Sequence, residues 1–438
     1  GGRVIGLELE RTSLGHRWGG NLAWGTHQIT LKCQPPLPLG ITPVPVVLSE
    51  RLKRVKPSPT VALTGRVAAL KAEGRDIIGL GVGEPDFGTP VHIAAAGVEA
   101  IRKGFTRYTA VEGIPELKDA IIAKFQRDNG ITYKRPQILV STGAKQTIYN
   151  LMMALVDPGD EVIIPAPYWV SYPDMALLAE GEPVTPFAGP EQGYKITPKQ
   201  LEDAITPKTR LVIINSPSNP TGAAYTRHEF EALGEVLSNH SHVIIATDDM
   251  YEHIYWGKEP FCSFLTACPE LYDRTVTING VSKAYAMTGW RIGYAGGPVE
   301  IINAMSVIQS QSTSNPSSIA QKAAAAALNG DQACVGEMNK HFKARHDFFV
   351  DGLNKIPGFK VLPSAGTFYA WCDVSEAIRI LDCAGDNHFA EFLLDKAGVA
   401  GVPGSGFGAH GHIRFSFAVS MKTLEQALER IGKAMAGK

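Results

Sequence analysis

The stretch Ile138–Val156, ILVSTGAKQTIYNLMMALV, shows how this chain is organised. It starts with three apolar residues, continues through small and polar residues, and ends with apolar residues at helical spacing. That order predicts a buried strand, a turn and a helix. A chain that repeats this unit is expected to form a mainly parallel sheet, because the helices return the chain and cover both faces of the sheet.

Similar apolar strands recur downstream, and they lead into loops that contain proline, glycine, asparagine or aspartate. Their sequences are DEVII, RLVIIN, HVIIAT and RTVTIN. The last hundred residues differ, because helical segments there alternate with the short strands TFYAWCDV and HIRFSFAVS. We therefore predict an α/β fold, with a mainly parallel sheet sandwiched by helices and a second, smaller α+β domain.

The overall composition limits the possible functions. The 438 residues carry a formal net charge of −1, which gives no general field to attract nucleic acid or an anionic membrane, so neither is expected as a partner. The six cysteines show no C-x-x-C spacing, and the pair His410 and His412 looks incidental, so we expect no metal site. Reduced cysteines and the lack of a recognisable signal favour a cytoplasmic protein.

Small residues follow the first strand of the quoted stretch, where ligands bind in open α/β sheets. Gly143, Ala144 and Lys145 lie where the predicted helix begins, and free backbone N–H groups there would suit a phosphate. Gly143 has an alternative interpretation, because strand–turn–helix units often need a glycine for packing alone. The sequence lacks the glycine and lysine spacing of a P-loop.

Polar residues also follow the next strands. Asn219 precedes a proline in SPSNPTG, and Asp248 ends the strand HVIIAT, with Tyr251 three positions later. Asn219 is either a functional amide or a turn former. Asp248 is either a helix N-cap or a buried carboxylate that needs a cation. Residues from one edge of a sheet would converge in either case.

The stretch NGVSKAYAMTGWRIGY places Lys283 in apolar surroundings and Arg291 eight positions later. A lysine, a carboxylate, an asparagine, a tyrosine, a phosphate cradle and an arginine at one sheet edge suit pyridoxal phosphate. That cofactor needs an amine for its imine, a carboxylate at its pyridine nitrogen and an anion site for its phosphate. Burial lowers the pKa of a lysine and makes its amine nucleophilic.

Eight motifs in the chain resemble those of one family and come in its order. They are GEPDFGTP, RYTAVEGIPELKDAI, STGAKQ, PAPYWVSYP, SPSNPTG, DDMYEHIYW, NGVSKAYAMTGWRIGYAGGP and GVPGSGFGAHGHIRFSFAVS. The chain is similar over about residues 48–435 to the class I aminotransferases, which are fold-type I pyridoxal phosphate enzymes. Within them it looks most like the bacterial-type aspartate aminotransferases, a branch that includes glutamate– and aspartate–prephenate aminotransferases.

The resemblance implies a role for each motif residue. Lys283 would bind the cofactor covalently and move the proton between the substrate and the cofactor. The other implied cofactor contacts are Asp248 at the pyridine nitrogen, Asn219 and Tyr251 at the phenolic oxygen, Trp169 on the ring, Arg291 with Gly143, Ala144 and Lys145 around the phosphate, and Tyr108 from the neighbouring subunit of a homodimer.

The implied substrates are amino acids and 2-oxo acids. Arg414 would bind the α-carboxylate, helped by Asn219, Trp169 and the backbone of Gly83. Thr60 and Lys145 would meet a distal carboxylate, which favours aspartate, glutamate, oxaloacetate and 2-oxoglutarate. Prephenate also has a second carboxylate, so the sequence leaves the aspartate and prephenate activities open.

Two other classes of function are less consistent with these residues. A lyase or synthase of the same fold needs no site for a distal carboxylate. A regulator that has lost catalysis would carry a DNA-binding segment, which residues 1–46 do not resemble, and would not need Lys283. Departures from the family pattern are modest, with Asp249 where relatives often have glutamate and Gly280 where some branches have a phosphate-binding serine.

We also predict domain boundaries. Residues 1–46, which show no sustained period and end in a proline-rich stretch, would be an extension outside the fold, either disordered or an artefact of where the chain was started. Residues 47–92 would form an N-terminal arm and part of the small domain. Residues 93–330 would form the large cofactor-binding domain, and residues 331–438 the small C-terminal domain.

Overall fold

The computed structural model describes residues 46–437 of the chain. Its α-helices are α1 (Pro59–Ala72), α2 (Val91–Arg102), α3 (Pro115–Asn129), α4 (Ala144–Leu155), α5 (Ser171–Leu178), α6 (Pro198–Ala204), α7 (Arg227–Ser238), α8 (Phe264–Ala267), α9 (Val299–Ser310), α10 (Ser318–Asn329), α11 (Ala333–Leu353), α12 (Ser375–Ile380), α13 (Asp386–Phe392) and α14 (Met421–Ala436). Its strands are β1 (Ile78–Gly79), β2 (Ile138–Ser141), β3 (Glu161–Ile163), β4 (Glu182–Val184), β5 (Thr209–Asn215), β6 (Ile244–Asp248), β7 (Thr275–Gly280), β8 (Gly293–Gly296), β9 (Lys360–Val361), β10 (Tyr369–Asp373), β11 (Val399–Ala400), β12 (Val402–Pro403) and β13 (His412–Ser416).

Seven strands form the large sheet, in the order β2-β8-β7-β6-β5-β3-β4. Strands β7, β6, β5, β3 and β4 are parallel to one another, and β8 is antiparallel to both of its neighbours. All six residues of β7 are buried, as apolar strands covered on both faces must be. The predicted α/β class with a mainly parallel sheet is confirmed.

The antiparallel strand β8 was not predicted. Its sequence, GYAG, contains two glycines and no β-branched residue, so it lacks the composition that marks a strand. The position of β8 explains why it forms a strand. It lies between β2 and β7, and its glycines allow neighbouring parts of the chain to approach it closely. A Cβ on Gly293 would collide with the backbone of Gly143 and Ala144 at the start of α4.

The smaller layer contains a four-stranded antiparallel sheet in the order β12-β13-β10-β9. Strand β1 pairs in parallel with β11, which brings an N-terminal segment beside the C-terminal part of the chain. Helices α11 and α14 pack on each other and cover this layer. The predicted smaller α+β part is therefore present, while the residue boundaries between domains stay a prediction.

The helix predicted after the strand of the quoted stretch forms as α4, and helices α11 to α14 are the helical segments predicted for the C-terminal part of the chain. Helix α10 packs against both α2 and α3, because its run of alanines lets neighbouring helices approach closely. Residues 1–45, which make up nearly all of the predicted extension, lie outside the described residues. Among residues 46–437, no helix is both long and apolar enough to cross a membrane.

The parallel strands place the functional loops together. Asn215 at the end of β5 pairs with Asp248 at the end of β6, and Asp248 pairs with Ile278 near the end of β7. The loops that carry Asn219, Asp248 and Lys283 therefore leave the sheet at the same edge. This is the edge at which open α/β sheets bind ligands.

Candidate active site

A cavity of about 270 Å³ opens at the carboxyl ends of the parallel strands. It collects residues from the large sheet, the small sheet and the N-terminal segment. The predicted site residues that line it are Thr60, Gly83, Ala144, Lys145, Trp169, Asn219, Asp248, Tyr251, Lys283, Arg291 and Arg414. Of the predicted site, only Gly143 and Tyr108 do not line this cavity.

Lys283 lies in this cavity and donates a hydrogen bond from Nζ to the carbonyl oxygen of Gly83, at 2.6 Å. Burial lowers the pKa of the Lys283 amine to about 8. The nearby carboxylate of Glu84 opposes this shift, and the guanidinium groups of Arg291 and Arg414 add to it. A lysine in this state is neutral often enough near physiological pH to act as a nucleophile or base.

Asp248 is buried at the end of β6 and accepts two hydrogen bonds from neutral donors. The hydroxyl of Tyr172 donates to Oδ2 at 2.6 Å, and the backbone N–H of Met250 donates to Oδ1 at 3.2 Å. Burial raises the pKa of Asp248, although both hydrogen bonds oppose the shift. The residues after Asp248 form turns, so the alternative interpretation as the N-cap of a helix is wrong.

The start of α4 forms the predicted anion cradle. Gly143 has φ of 83° directly before the helix, a conformation that favours glycine. A Cβ on Gly143 would lie 2.9 Å from Cζ of Arg291, so the missing side chain lets the guanidinium lie against the helix start. Arg291 is held by a hydrogen bond from Nη1 to the carbonyl oxygen of Thr288 at 2.8 Å. Positive charge and the helix dipole coincide here, which suits a phosphate.

Arg414 lies on β13 with only 2% of its surface exposed. Its Nη1 donates to Oδ1 of Asn219 at 2.8 Å, and its Nη2 donates to the carbonyl oxygen of Gly81 at 2.7 Å. Its Nε has no hydrogen-bond partner among the described residues, and no carboxylate of residues 46–437 forms a salt bridge with it. A buried guanidinium of this kind is suited to a carboxylate from a ligand.

Lys145 and Thr60 line the same cavity as Arg414. The Nζ atom of Lys145 lies 4.9 Å from the centre of the Trp169 ring. Burial lowers the pKa of Lys145, and the charge of Arg291 lowers it further. The cavity therefore presents cationic side chains from β13 and from the start of α4, with a threonine hydroxyl nearby.

Tyr108 is placed differently from the other predicted residues. It lies in the loop between α2 and α3, and 92% of its surface is exposed. It is not among the described residues that line the cavity. A contribution from Tyr108 to the site would have to come from a second copy of the chain, as the family resemblance implies.

Sequence reasoning missed several residues that line the cavity. Tyr172 donates a hydrogen bond to Asp248, although the motif PAPYWVSYP predicted a role only for its tryptophan. Tyr369 forms part of the cavity wall, and Thr288 accompanies Arg291. Aromatic residues inside apolar runs give no signal of their own, since most of them belong to the core.

The side chains fit pyridoxal phosphate in both number and kind. They include an amine of lowered pKa, a buried carboxylate that has no cationic hydrogen-bond partner within residues 46–437, and a helix start backed by a guanidinium. The glycine at the cradle is required, because a side chain there would displace Arg291. The residues named for the cofactor by the resemblance are thus consistent with the geometry of this chain.

The fold and the site define a class of enzyme, and comparison with known proteins agrees. The chain belongs to the family of class I and II aminotransferases, whose sequence profile matches residues 75–431. It is 56% identical over 394 residues to the aspartate/prephenate aminotransferase of Nitrosomonas europaea, covering 89% of this chain and 99% of the relative. It is 49% identical over 391 residues to an aspartate aminotransferase of Rhizobium meliloti, covering 88% and 95%.

Solved structures show the same architecture. The aspartate aminotransferase of Rhizobium meliloti matches with a TM-score of 0.85 and 47% identity, covering 89% of this chain and 99% of that one. The aspartate aminotransferase of Thermus thermophilus with maleate matches with a TM-score of 0.84 and 41% identity, covering 89% and 100%. The family and fold expected from the motifs are therefore confirmed.

Proposed function

We propose that this aminotransferase uses pyridoxal phosphate to move the amino group of L-aspartate or L-glutamate to 2-oxoglutarate or oxaloacetate, in two half-reactions. One observation carries the proposal. The buried Arg414, the cationic Lys145 and the amine of Lys283 line one cavity. A dicarboxylic amino acid needs two cationic contacts and a base near its Cα, and these side chains supply that set. The solved relative with maleate, a dicarboxylate, supports a site for two carboxylates.

The cofactor contacts follow from the site geometry. Asp248 would hold the proton on the pyridine nitrogen, and a cation beside it would return this carboxylate to its charged form. Asn219 and Tyr251 line the cavity and would bind the phenolic oxygen, while Trp169 would cover the ring. Arg291 and the N–H groups that begin α4 would bind the phosphate. When bound, pyridoxal phosphate supplies an aldehyde for amines and a ring that takes up negative charge from Cα.

Lys283 is the group that moves the proton. Its amine would take the proton from Cα of the substrate and return it on the cofactor side, which requires a neutral amine in the first step. Burial and the two arginines keep its pKa near 8, so that state is accessible. In the cofactor-free chain, the hydrogen bond to Gly83 holds Nζ inside the cavity.

Arg414 would bind the α-carboxylate in two-point contact. Its orientation is fixed by Asn219 and by the carbonyl of Gly81, so little side-chain freedom is lost on binding. Lys145 and Thr60 would meet the distal carboxylate. A lyase or synthase of this fold needs no site for a distal carboxylate and would have no use for Lys145 and Thr60.

A second acceptor, prephenate, is favoured by a specific observation. The relative from Nitrosomonas europaea, 56% identical, is an aspartate/prephenate aminotransferase. Prephenate also carries two carboxylates, so Lys145 and Thr60 would serve it as well. We therefore propose transamination of prephenate to arogenate as the alternative or additional activity.

We also propose a homodimer in which Tyr108 completes the partner's phosphate site. The loop that carries Tyr108 is fixed by buried side chains, although Tyr108 itself is exposed. Gln321 donates to Oγ1 of Thr109 at 3.1 Å and accepts from the N–H of Ile114 at 2.8 Å. Gln309 donates to the carbonyl oxygen of Val111 at 2.8 Å. A rigid loop with an exposed aromatic tip is suited to an interface.

Exposed apolar side chains on α2 support the same interface. They are Val91, Val98 and Ile101. A separate cleft of about 590 Å³ is lined by Thr142, Thr288 and Arg291, so the phosphate side of the site is open to a partner. We further propose a cytoplasmic location, because Cys262, Cys268 and Cys372 are buried free thiols.

The proposed function is tested by measuring kcat/KM with aspartate as donor and with 2-oxoglutarate or prephenate as acceptor, in the presence of pyridoxal phosphate. Fast use of 2-oxoglutarate alone would support the plain aspartate activity. Comparable or better use of prephenate would support the second activity. If the protein catalyses neither reaction, or if the Lys283→Ala variant keeps full activity, the proposal is refuted.

A further inference from the structure

Tyr369 on β10 lies at the junction of three groups of the candidate site. It is 1% exposed, lines the cavity and was not singled out by any motif. Its hydroxyl lies 2.9 Å from the hydroxyl of Tyr251. Its ring centre lies 4.2 Å from the guanidinium carbon of Arg414. A Cβ on Gly83 would lie 3.3 Å from Cζ of Tyr369 and even closer to its hydroxyl, so this side chain also packs against that backbone.

We propose that Tyr369 is a positioning residue that directs the Tyr251 hydroxyl toward the phenolic oxygen of the cofactor and fixes the plane of Arg414. The inference rests on the proposed function. The two roles belong to different parts of one side chain, the hydroxyl and the ring, and so can be separated by substitution.

The direction of the hydrogen bond follows from counting protons. A tyrosine hydroxyl has one proton to donate and can also accept. If Tyr251 donates its proton to the phenolic oxygen, the contact between the two tyrosines must use the proton of Tyr369. A hydroxyl that accepts a hydrogen bond becomes a better donor, because the two bonds polarise each other. Tyr369 would thus strengthen the contact that Tyr251 makes.

The ring of Tyr369 has a second effect. Arg414 lies between the rings of Tyr369 and Phe407, at 4.2 Å and 4.9 Å. Two aromatic faces hold the guanidinium plane while Asn219 and Gly81 fix its Nη atoms. A cation–π contact away from water contributes about 1–2 kcal/mol, which corresponds to roughly 5- to 30-fold in affinity.

The first test uses Tyr369→Phe, which removes the hydroxyl and keeps the ring. The readout is the pH midpoint of the visible absorption of the bound cofactor, which reports a proton held next to the phenolic oxygen. A weaker hydrogen bond from Tyr251 leaves more negative charge on the phenolic oxygen, and this charge holds the neighbouring proton more tightly. The midpoint should therefore rise, by about 0.3–0.7 pH unit. The KM for aspartate should change by less than about twofold, because the ring contact with Arg414 remains.

A double-variant cycle separates this role from a general structural effect. In the Tyr251→Phe background, adding Tyr369→Phe should move the midpoint no further, because the relayed hydrogen bond is already lost. A matched control is Tyr133→Phe. Tyr133 is also buried and donates to another hydroxyl, Oγ1 of Thr277 at 3.2 Å, but it does not line the cavity. The control should leave the midpoint unchanged.

The second variant, Tyr369→Leu, removes the ring as well. It should show the midpoint shift of the phenylalanine variant and a KM for aspartate raised about 5- to 30-fold. An unshifted midpoint in Tyr369→Phe, or an equal shift with and without Tyr251, would overturn the hydroxyl role. An unchanged KM in Tyr369→Leu would overturn the ring role. A wild-type protein without any visible band would instead refute the proposed function itself.

Discussion

Lys283 is the residue on which the proposed chemistry depends, and its environment lowers the pKa of its amine. Burial and the charges of Arg291 and Arg414 lower the pKa of its amine, while Glu84 is the main opposing charge. Each of these contributes to the balance between neutral and protonated amine. A solvent-exposed lysine has a pKa of about 10.4, so the cavity shifts this amine into the range where enzymes use lysine as a base.

This balance gives a prediction for the cofactor-free protein. Reaction of Lys283 with acetic anhydride requires the neutral amine, so its labelling should rise with pH through a midpoint near 8. The Glu84→Gln variant removes the carboxylate that stabilises the protonated form, so the midpoint should fall. Competitive labelling followed by peptide mass spectrometry measures both, with exposed lysines of the same protein as internal control. A midpoint near 10 in the wild type would contradict the prediction.

At the residue scale, sequence predicted the reactive groups better than the groups that hold them. Lys283, Asp248 and Arg414 are charged residues in apolar runs, and a charge in such a place needs an explanation. Tyr172 and Tyr369 are aromatic residues in apolar runs, which is ordinary for a core. Their function depends on hydroxyl contacts at 2.6 Å and 2.9 Å that no spacing reveals.

At the element scale, the start of α4 is the part of the site that depends most on backbone geometry. The strand–turn–helix pattern predicted this position, but the close approach of Arg291 to Gly143 is a tertiary contact. The antiparallel β8 helps to create it, since Gly293 of β8 allows contact with the same turn. Local sequence could not show which of two glycine roles applied. The structure shows that close packing against Arg291 requires Gly143, and the proposed anion binding would use the same residue.

Gly143→Ala should therefore impair cofactor binding more than folding. The added Cβ would meet the guanidinium of Arg291, and the φ of 83° would be strained for alanine. We expect the affinity for pyridoxal phosphate to fall by at least about tenfold, the equivalent of roughly 1.4 kcal/mol. Fluorescence titration of the cofactor-free protein measures it. Gly432→Ala, on α14 with open space around the glycine, is the matched control and should bind normally.

A buried ion pair connects α3 with the turn after β6 and with the end of β7. Lys124 on α3 forms an ion pair with Glu252, and both are almost fully buried. The amide of Asn279 donates to Glu252 at 2.7 Å, and Asn129 donates to it at 2.8 Å. Burial alone would raise the pKa of Glu252, but Lys124 and the hydrogen bonds hold it below its ordinary value. The pair thus links α3 with the end of β7.

Breaking this pair should be costly in a pH-dependent way. Lys124→Met removes the lysine partner of the buried Glu252 carboxylate, and breaking a buried ion pair in this way typically costs about 3–5 kcal/mol of unfolding free energy. The deficit should shrink as the pH falls, because a protonated Glu252 no longer needs a cation. Urea denaturation at pH 8 and pH 5 measures this, and adding Glu252→Gln to the variant should recover part of the loss. A deficit that is the same at both pH values would contradict the assignment.

At the scale of the whole molecule, the site is assembled from three separate parts of the chain. The parallel sheet supplies Asp248 and the loop of Lys283, the small sheet supplies Arg414 and Tyr369, and the N-terminal segment supplies Thr60 and Gly83. Periodicity and strand composition predicted the two layers. They could not predict that β1 pairs with β11, because two-residue strands carry no periodic signal.

The proposed dimer gives a prediction that one chain alone cannot fulfil. If Tyr108 acts in the partner's site, each site of a Tyr108→Ala homodimer lacks the tyrosine of the neighbouring subunit but keeps its own Lys283. Pairing a Tyr108→Ala subunit with a Lys283→Ala subunit, which carries Tyr108, completes one of the two sites. Random mixing makes about half of the dimers hybrids, so about a quarter of all sites should be complete.

We expect the mixture, after exchange of subunits, to gain activity over the sum of the two separate variants. Mixing Lys283→Ala with Arg414→Ala is the control. Both residues would act in their own subunit's site, so each of the two sites in a hybrid would lack one residue and no activity should be gained. A Tyr108→Ala mixture with no gain would place Tyr108 outside the partner's site, and the firm anchoring of its loop by Gln309 and Gln321 would need another explanation.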